Sequence, residues 1–437
     1  MLKATLEYGD YISTLFPEFS TGEKKKQLPI KTITFQVTQD CSLRCTYCYQ
    51  HKKYSDREMS FETAKKMIDY LFDHKDEEDF YFSEKTTKGL IIEFIGGEPL
   101  LRSPLILQIC DYFENKVLEY PDCPWLLYHV YSICSNGVNY FDEDVKKLIE
   151  KYGNILAFSI TVDGCKTLHD SCRFFPNGEP SYDKAIAAAL DQLEKYGNDA
   201  TKITLSPENI SYVFEGVKNM YSLGFHHINM NSVFEEGWEL DDAKALYEQL
   251  KLVADWLKEN NYQDNIYFAL FDPEKYIPED EETLKTNWCG TTGEMLALDF
   301  KGDIYSCIRF MENSLGTNQE PYIIGTLENG IGSTDMQRDR INELNKLTKE
   351  SQSTKECINC PIGLGCSLCT AYNYEKFGTI NKRATFICNN HKAGALASKY
   401  FYKITNNKED YEKININYDF VKELISEDEW NSLQWKE

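Results

Sequence analysis

The chain has 437 residues, 42% of them hydrophobic, and a formal net charge of −23, which suits one large domain with an elaboration and excludes nucleic acid as a partner, because phosphates are repelled. No apolar run reaches the roughly 18 residues of a membrane span, and the N-terminus MLKATLEYGDYIS lacks a basic segment followed by an apolar one, so neither membrane nor secretion is expected and the expected location is the cytoplasm. Fifteen cysteines, an odd number grouped in C-x2-C clusters, then read as metal ligands rather than as a disulfide framework.

In chain order, an N-terminal extension (1–30) precedes a strand–helix alternation expected over 31–240. Strands rich in Ile, Val, Phe and Thr are predicted at Thr32–Thr38, Leu90–Gly96, His129–Asn136, Ile155–Asp163, Lys202–Leu205 and His227–Phe234. Between them, Ala64, Met67, Ile68, Leu71 and Phe72 form a helical stripe with Ser60 placed to cap it. Ile186, Ala189, Leu190 and Leu193 form another after Ser181, and Val213, Val217, Met220 and Tyr221 a third that Gly224 stops. A helix over Asp241–Asn260 opens a linker region (241–285). Residues 286–395 are Cys-rich with short strands, and a tail (396–437) carries a helix around Phe420–Leu433. Repeated strand–helix units imply parallel strands with right-handed crossovers. Six of them predict an α/β fold, a partial barrel open on one side, with its site at the C-terminal strand ends.

Those ends carry the chemistry. Cys41, Cys45 and Cys48 form C-x3-C-x2-C in TQDCSLRCTYCYQ after the first strand. A cube of four irons held by three thiolates has one open iron; the alternative is zinc, with His51 completing a Cys3His set. Gly96-Gly97-Glu98-Pro99 ends the second strand, where glycines let backbone approach a ligand and the carboxylate can accept from an ammonium group. Ser135-Asn136-Gly137 ends the third strand and Thr161 to Gly164 the fourth, so the motifs converge on one rim.

Together these residues resemble the radical SAM superfamily. The resemblance implies a [4Fe-4S] cluster on the Cys triad that binds S-adenosylmethionine and cleaves it to a 5′-deoxyadenosyl radical. By position, it implies Tyr47 against the adenine, Gly96, Gly97 and Glu98 at the methionyl amine, and Ser135, Asn136, Thr161 and Val233 around the pocket. Arg173 is expected at the SAM carboxylate, the alternative being a surface salt bridge with Asp170. Asp163 is expected to be a turn former. Cys110 and Cys134 are expected to be buried and Cys165 and Cys172 to serve packing.

Cys289, Gly302, Cys307, Cys357-x2-Cys360-x5-Cys366-x2-Cys369 and Cys388 resemble the SPASM extension of that superfamily, with one interval a residue shorter than usual; structural zinc knots are the alternative. The resemblance implies two auxiliary [4Fe-4S] clusters, three in all. Cys289, Cys307 and Cys369 would hold the first, with no fourth cysteine, and Cys357, Cys360, Cys366 and Cys388 the second. It also implies a peptide substrate and an electron donor such as flavodoxin or ferredoxin. Two reactions compete: cross-linking of a ribosomally made precursor peptide, most simply a thioether from a Cys, and formylglycine formation as in anaerobic sulfatase-maturating enzymes. The latter carry an Asp base after the Cys of G-x4-C, where this chain has Ile308 and then Arg309, which favours the peptide maturase. With about forty residues before Cys41, leader recognition is expected to use another surface or a separate protein. A non-enzyme reading, a zinc-stabilised scaffold, explains the cysteines but not the rim.

Overall fold

The computed structural model describes residues 29–435, apart from 79, 236, 288, 317 and 318; nearly all of the N-terminal extension therefore lies outside the described residues. Six strands form where the alternation puts them: β1 (Ile30–Thr38), β2 (Gly89–Gly96), β3 (His129–Ser135), β4 (Leu156–Ile160), β5 (Ala200–Leu205) and β6 (His227–Ser232). β1 to β4 pair in parallel, in order, and β5 pairs in parallel with β6. The intervening helices are α1 (Phe61–His74), α2 (Ser103–Val117), α3 (Glu143–Tyr152), α4 (Lys166–Cys172), α5 (Tyr182–Tyr196), α6 (Val213–Ser222) and α7 (Leu240–Glu259).

Alternation along each strand divides the layers. Ile33, Phe35, Ile92, Phe94, Ile133, Phe158 and Ile203 are buried in the layer shared with the helices. Thr34, Glu93, Ser132, Cys134, Ser159 and Lys202 fall on the other face, which makes the barrel lumen polar. Ser60 caps α1, its hydroxyl accepting from Thr63 N at 3.0 Å. In α5 Ala189 of the expected stripe is buried, but Ile186, Leu190 and Leu193 are half-buried, and the buried face is shared with Ala185, Ala188 and Gln192. The reason is a polar contact, since Gln192 donates to Tyr140 Oη at 2.9 Å inside the fold.

The sheet differs from a simple six-stranded arc. Among the described residues no ladder joins β4 to β5, and a two-residue strand, β7 (Tyr267–Phe268), adds in parallel to β6. The β1 edge is covered by the Cys-rich region: β8 (Met295–Leu298) pairs in parallel with β1, Thr32 opposite Met295 and Phe35 opposite Leu298. β9 (Asp303–Tyr305), β10 (Gly325–Thr326) and β11 (Gly330–Ile331) continue it antiparallel. The β8–β9 turn needs Gly302, whose φ is +92°.

Beyond the sheet come α8 (Asp335–Asn345), α9 (Thr370–Phe377) and α10 (Cys388–Ile404). α10 packs along α7 and runs through residue 395. The helix expected around Phe420–Leu433 is two short ones, Tyr418–Val421 and Glu427–Leu433.

Candidate active site

The Cys triad sits on the loop leaving β1. Asp40 shapes its start, with Asp40 N donating to Thr38 Oγ1 at 3.0 Å and Cys41 N to Asp40 Oδ1 at 2.8 Å. The loop is pinned against the segment that follows α4 by Arg44 N to Phe174 O and Thr46 N to Cys172 O, at 2.8 and 2.9 Å. Burial pushes the Cys41 thiol up to about 11 and raises Cys45 as well, and charge on Cys45 adds to the former. Lys53 Nζ lies 3.1 Å from Cys48 Sγ. His51 Nε2 lies 3.3 Å from Glu375 Oε1, which leaves one ring nitrogen of the Cys3His zinc alternative engaged by a carboxylate.

The GGEP turn abuts this loop. Glu98 N donates to Asp40 O at 2.8 Å. A Cβ on Gly97 would overlap the Asp40 carbonyl and lie 2.8 Å from Cys41 Cβ. What approaches this glycine so closely is the triad's own backbone, which differs from the expectation that the glycines make room for a ligand. Glu98 is fully buried and serves the fold: its Oε1 accepts from Ser135 Oγ at 2.8 Å and Leu100 N at 3.0 Å, and its Oε2 from Asn136 N at 2.8 Å. Asn136 in turn donates to Ser42 Oγ at 3.0 Å and faces Cys41 Sγ at 3.8 Å. Glu98, Ser135 and Asn136 thus tie the ends of β2 and β3 to the triad loop.

At the end of β4 the alternative for Arg173 falls away and the reading of Asp163 is corrected. Arg173 makes no pair with Asp170, whose oxygens accept from Ser181 N and Tyr182 N and pair with Lys166. It is buried instead, donating from Nη1 to Tyr47 Oη at 2.9 Å and standing 4.0 Å from Asp163 Oδ2. Asp163 is more than a turn former. It is completely buried, accepts from Thr204 N at 2.8 Å and is hydrogen-bonded by Tyr47 Oη. Arg173 and Asp163 together hold the Tyr47 hydroxyl in place, and Arg173 Nε is left buried without a protein partner. Thr161 Oγ1 lies 3.7 Å from Cys134 Sγ. Val233 follows β6, its carbonyl accepting from Trp238 Nε1 at 3.0 Å. Cys134, expected to be buried, is exposed to the lumen because period-2 alternation puts it opposite Ile133; Cys110 and Cys172 are buried and Cys165 half-buried.

The lumen opens into a cavity of about 650 Å³ along the free edge of β4, lined among others by Glu93, Cys134, Ser159, Thr161, Lys202 and Asn231. The Cys-rich region is built on the other side of the sheet, along the β1 edge. Cys289 precedes β8, Cys307 follows β9, and Cys369 caps α9, its sulfur accepting from Tyr372 N at 3.4 Å. Cys307 is raised to about 12, by burial first and then by charge on Cys369 and Cys289. Cys357, Cys360, Cys366 and Cys388 form another neighbourhood: burial and charge on the other three push Cys388 up to about 11, and Arg383 donates to Cys366 O at 2.9 Å. Arg309, which the sequence marks only as a departure, is half-buried against the Tyr49 and Tyr372 rings and meets Glu235 at 2.5 Å.

Among the described residues no three His, Cys, Asp or Glu side chains close around one point. Thr291, Ser306 and Thr370, each within two residues of Cys289, Cys307 or Cys369, carry buried hydroxyls with no protein partner. Orphan donors of this kind are rare in a finished interior and suit an anionic group beside them. The residues present therefore fit iron–sulfur clusters, and the orphan Arg173 Nε fits a carboxylate. When bound, the triad's cluster supplies reductive cleavage of the SAM sulfonium.

Residues 35–250 match the family model described as the Radical SAM superfamily. The chain carries a radical SAM domain. It is similar to uncharacterized protein MJ0907 of Methanocaldococcus jannaschii, 29% identical over 286 residues (64% of this chain, 85% of that protein). It is also similar to radical SAM cyclopropyl synthase TigE of Paramaledivibacter caminithermalis, 23% identical over 399 residues (85% and 74%). Among solved structures, anSMEcpe with bound AdoMet and Cp18Cys peptide superposes with a TM-score of 0.62 at 18% identity, covering 87% of this chain and 100% of that one. Streptococcus suis SuiB bound to its precursor peptide SuiA gives 0.52 at 15%, covering 83% and 76%. At these identities the structural likeness is one of fold. The radical SAM fold implies a [4Fe-4S] cluster and SAM, and the chain is an enzyme related to peptide-modifying and sulfatase-maturating enzymes.

Proposed function

We propose that the chain is a peptide maturase. It cleaves SAM at a cluster held by Cys41, Cys45 and Cys48 and installs a cross-link, a thioether from a Cys, in a ribosomally made precursor peptide. Tyr47 packs on the adenine, Arg173 pairs with the SAM carboxylate, and Gly96, Gly97 and Glu98 form the wall at the methionyl amine. Ser135, Asn136, Thr161 and Val233 complete the pocket. A SPASM-type region holds two further [4Fe-4S] clusters, one on Cys289, Cys307 and Cys369 and one on Cys357, Cys360, Cys366 and Cys388. Flavodoxin or ferredoxin supplies electrons in the cytoplasm.

The observation that carries the cross-linking reading is the first auxiliary set. It is a neighbourhood of three thiols with Ile308, not a carboxylate, after Cys307. A substrate thiolate is a good ligand for a fourth iron and would be positioned there for bond formation. SuiB, seen with a precursor peptide, supports a peptide substrate. The sulfatase-maturating relatives support formylglycine as a second reading.

Mass spectrometry after anaerobic turnover with candidate Cys-containing precursor peptides, followed by iodoacetamide, separates them. A thioether loses about 2 Da and one alkylatable sulfur; formylglycine made from Cys loses about 18 Da. A product about 2 Da lighter that still alkylates at every Cys indicates a link without sulfur, ring closure on carbon included, and rejects the thioether.

A further inference from the structure

Joining a substrate sulfur to a carbon breaks one S–H and one C–H bond and forms S–C. The carbon's hydrogen atom goes to the 5′-deoxyadenosyl radical. The sulfur's hydrogen leaves as a proton, and one electron passes to an oxidised iron–sulfur cluster. The proton needs an acceptor, and Ile308, buried and apolar, cannot serve.

The lumen holds a carboxylate that the reading so far leaves without work. Glu93 lies in the middle of β2, on the face opposite the buried Ile92 and Phe94. Its Oε2 accepts from Thr34 Oγ1 at 2.6 Å, and among the described residues no donor meets its Oε1. It lines the same cavity as Cys134, Ser159 and Thr161, the last of which belongs to the proposed SAM pocket. The Tyr49 ring, next to Cys48, packs on Arg309, two residues from Cys307, so the triad loop and the loop bearing Cys307 touch. Glu93 faces the cavity that borders the proposed SAM pocket. A carboxylate so placed with one hydroxyl partner is costly to keep charged, and burial raises it above its usual range, toward the working range of a general base.

We infer that Glu93 accepts the proton that the substrate thiol loses on becoming the thiolate that is then joined to carbon. This deepens the maturase reading and rests on it. Glu93→Gln keeps the shape and the Thr34 hydrogen bond but cannot take a proton. The full chain, anaerobically loaded with iron–sulfur clusters, is compared with this variant and with Glu93→Asp, using a peptide that the wild type modifies. Iron content, SAM affinity and peptide affinity of Glu93→Gln are expected to stay close to wild type, and 5′-deoxyadenosine is still released. Product falls by about 10²–10³-fold, and Glu93→Asp restores part of it. Product at wild-type levels from Glu93→Gln overturns the inference. So does joint loss of peptide affinity and product, which would make Glu93 part of the binding wall. A wild type that modifies no peptide at all fails differently: it overturns the maturase reading and this inference with it.

Discussion

Gly97 shows how a single position is fixed by its neighbour's backbone. A methyl there must displace Asp40 or Cys41, so Gly97→Ala is expected to lower iron content by about one cube, four irons, as well as SAM affinity. Retention of all iron with only SAM binding lost would mean that the glycine serves the ligand directly. Arg173 and Asp163 form the second test. Arg173→Met removes the cation beside a fully buried carboxylate, a change that typically costs about 3–5 kcal/mol, and it takes one of the two hydrogen bonds from the Tyr47 hydroxyl. Lower thermal stability together with at least a tenfold loss of SAM affinity, equal to about 1.4 kcal/mol, is expected by equilibrium binding. Unchanged affinity would reduce Arg173 to a structural role. These positions were unevenly legible. Tyr47, Gly96 and Gly97 stand in motifs whose spacing is local. Asp163 reads as a turn residue because its partners, Thr204 N and Tyr47 Oη, come from another strand and another loop.

At the scale of elements, the strands and helices of 31–240 were legible because each repeats its apolar period over several residues. β7 and β8 were not: two and four residues carry no period, and their place is set by pairing with a distant strand edge. α10 was missed because its buried face is largely Ala, Gly, Ser and Asn, which reads as polar or neutral in sequence.

The β8–β9 hairpin gives a pH-dependent prediction. Asp299 caps the turn, Oδ1 accepting from Lys301 N and Asp303 N at 2.9 and 3.0 Å, while burial lifts its carboxyl to about 6 from 3.8. A carboxyl raised in the fold is penalised when ionised, so its stabilising share is full below about 3.8 and is lost as pH rises through about 6. Asp299→Asn keeps the acceptor without the charge. A higher Tm than wild type at pH 7.5, by about 2–4 °C for each kcal/mol gained, is expected by calorimetry, with the gain shrinking at pH 5. An equal gain at both values would remove ionisation as the cause.

For the whole molecule, the sheet brings chemistry from both ends of the chain together. β1 carries the triad loop at its C-terminal end and accepts β8 along its edge, so the hairpin that bears Cys289 and Cys307 is built onto the barrel. Through that pairing the loop bearing Cys307 comes against the triad loop, where Arg309 packs on Tyr49. The triad and its rim were readable as motifs; the lumen carboxylate Glu93 was not, because it lies inside an ordinary strand pattern and gains meaning only from what faces it. The most direct test of the central claim is anaerobic iron analysis with measurement of 5′-deoxyadenosine, comparing the wild type with a chain in which Cys41, Cys45 and Cys48 are all Ala. The wild type is expected to hold about twelve irons as three cubes and to release 5′-deoxyadenosine from SAM under reduction; the variant should hold about eight and release none. Continued 5′-deoxyadenosine formation by the variant, or a colourless zinc-loaded wild type, would contradict the account.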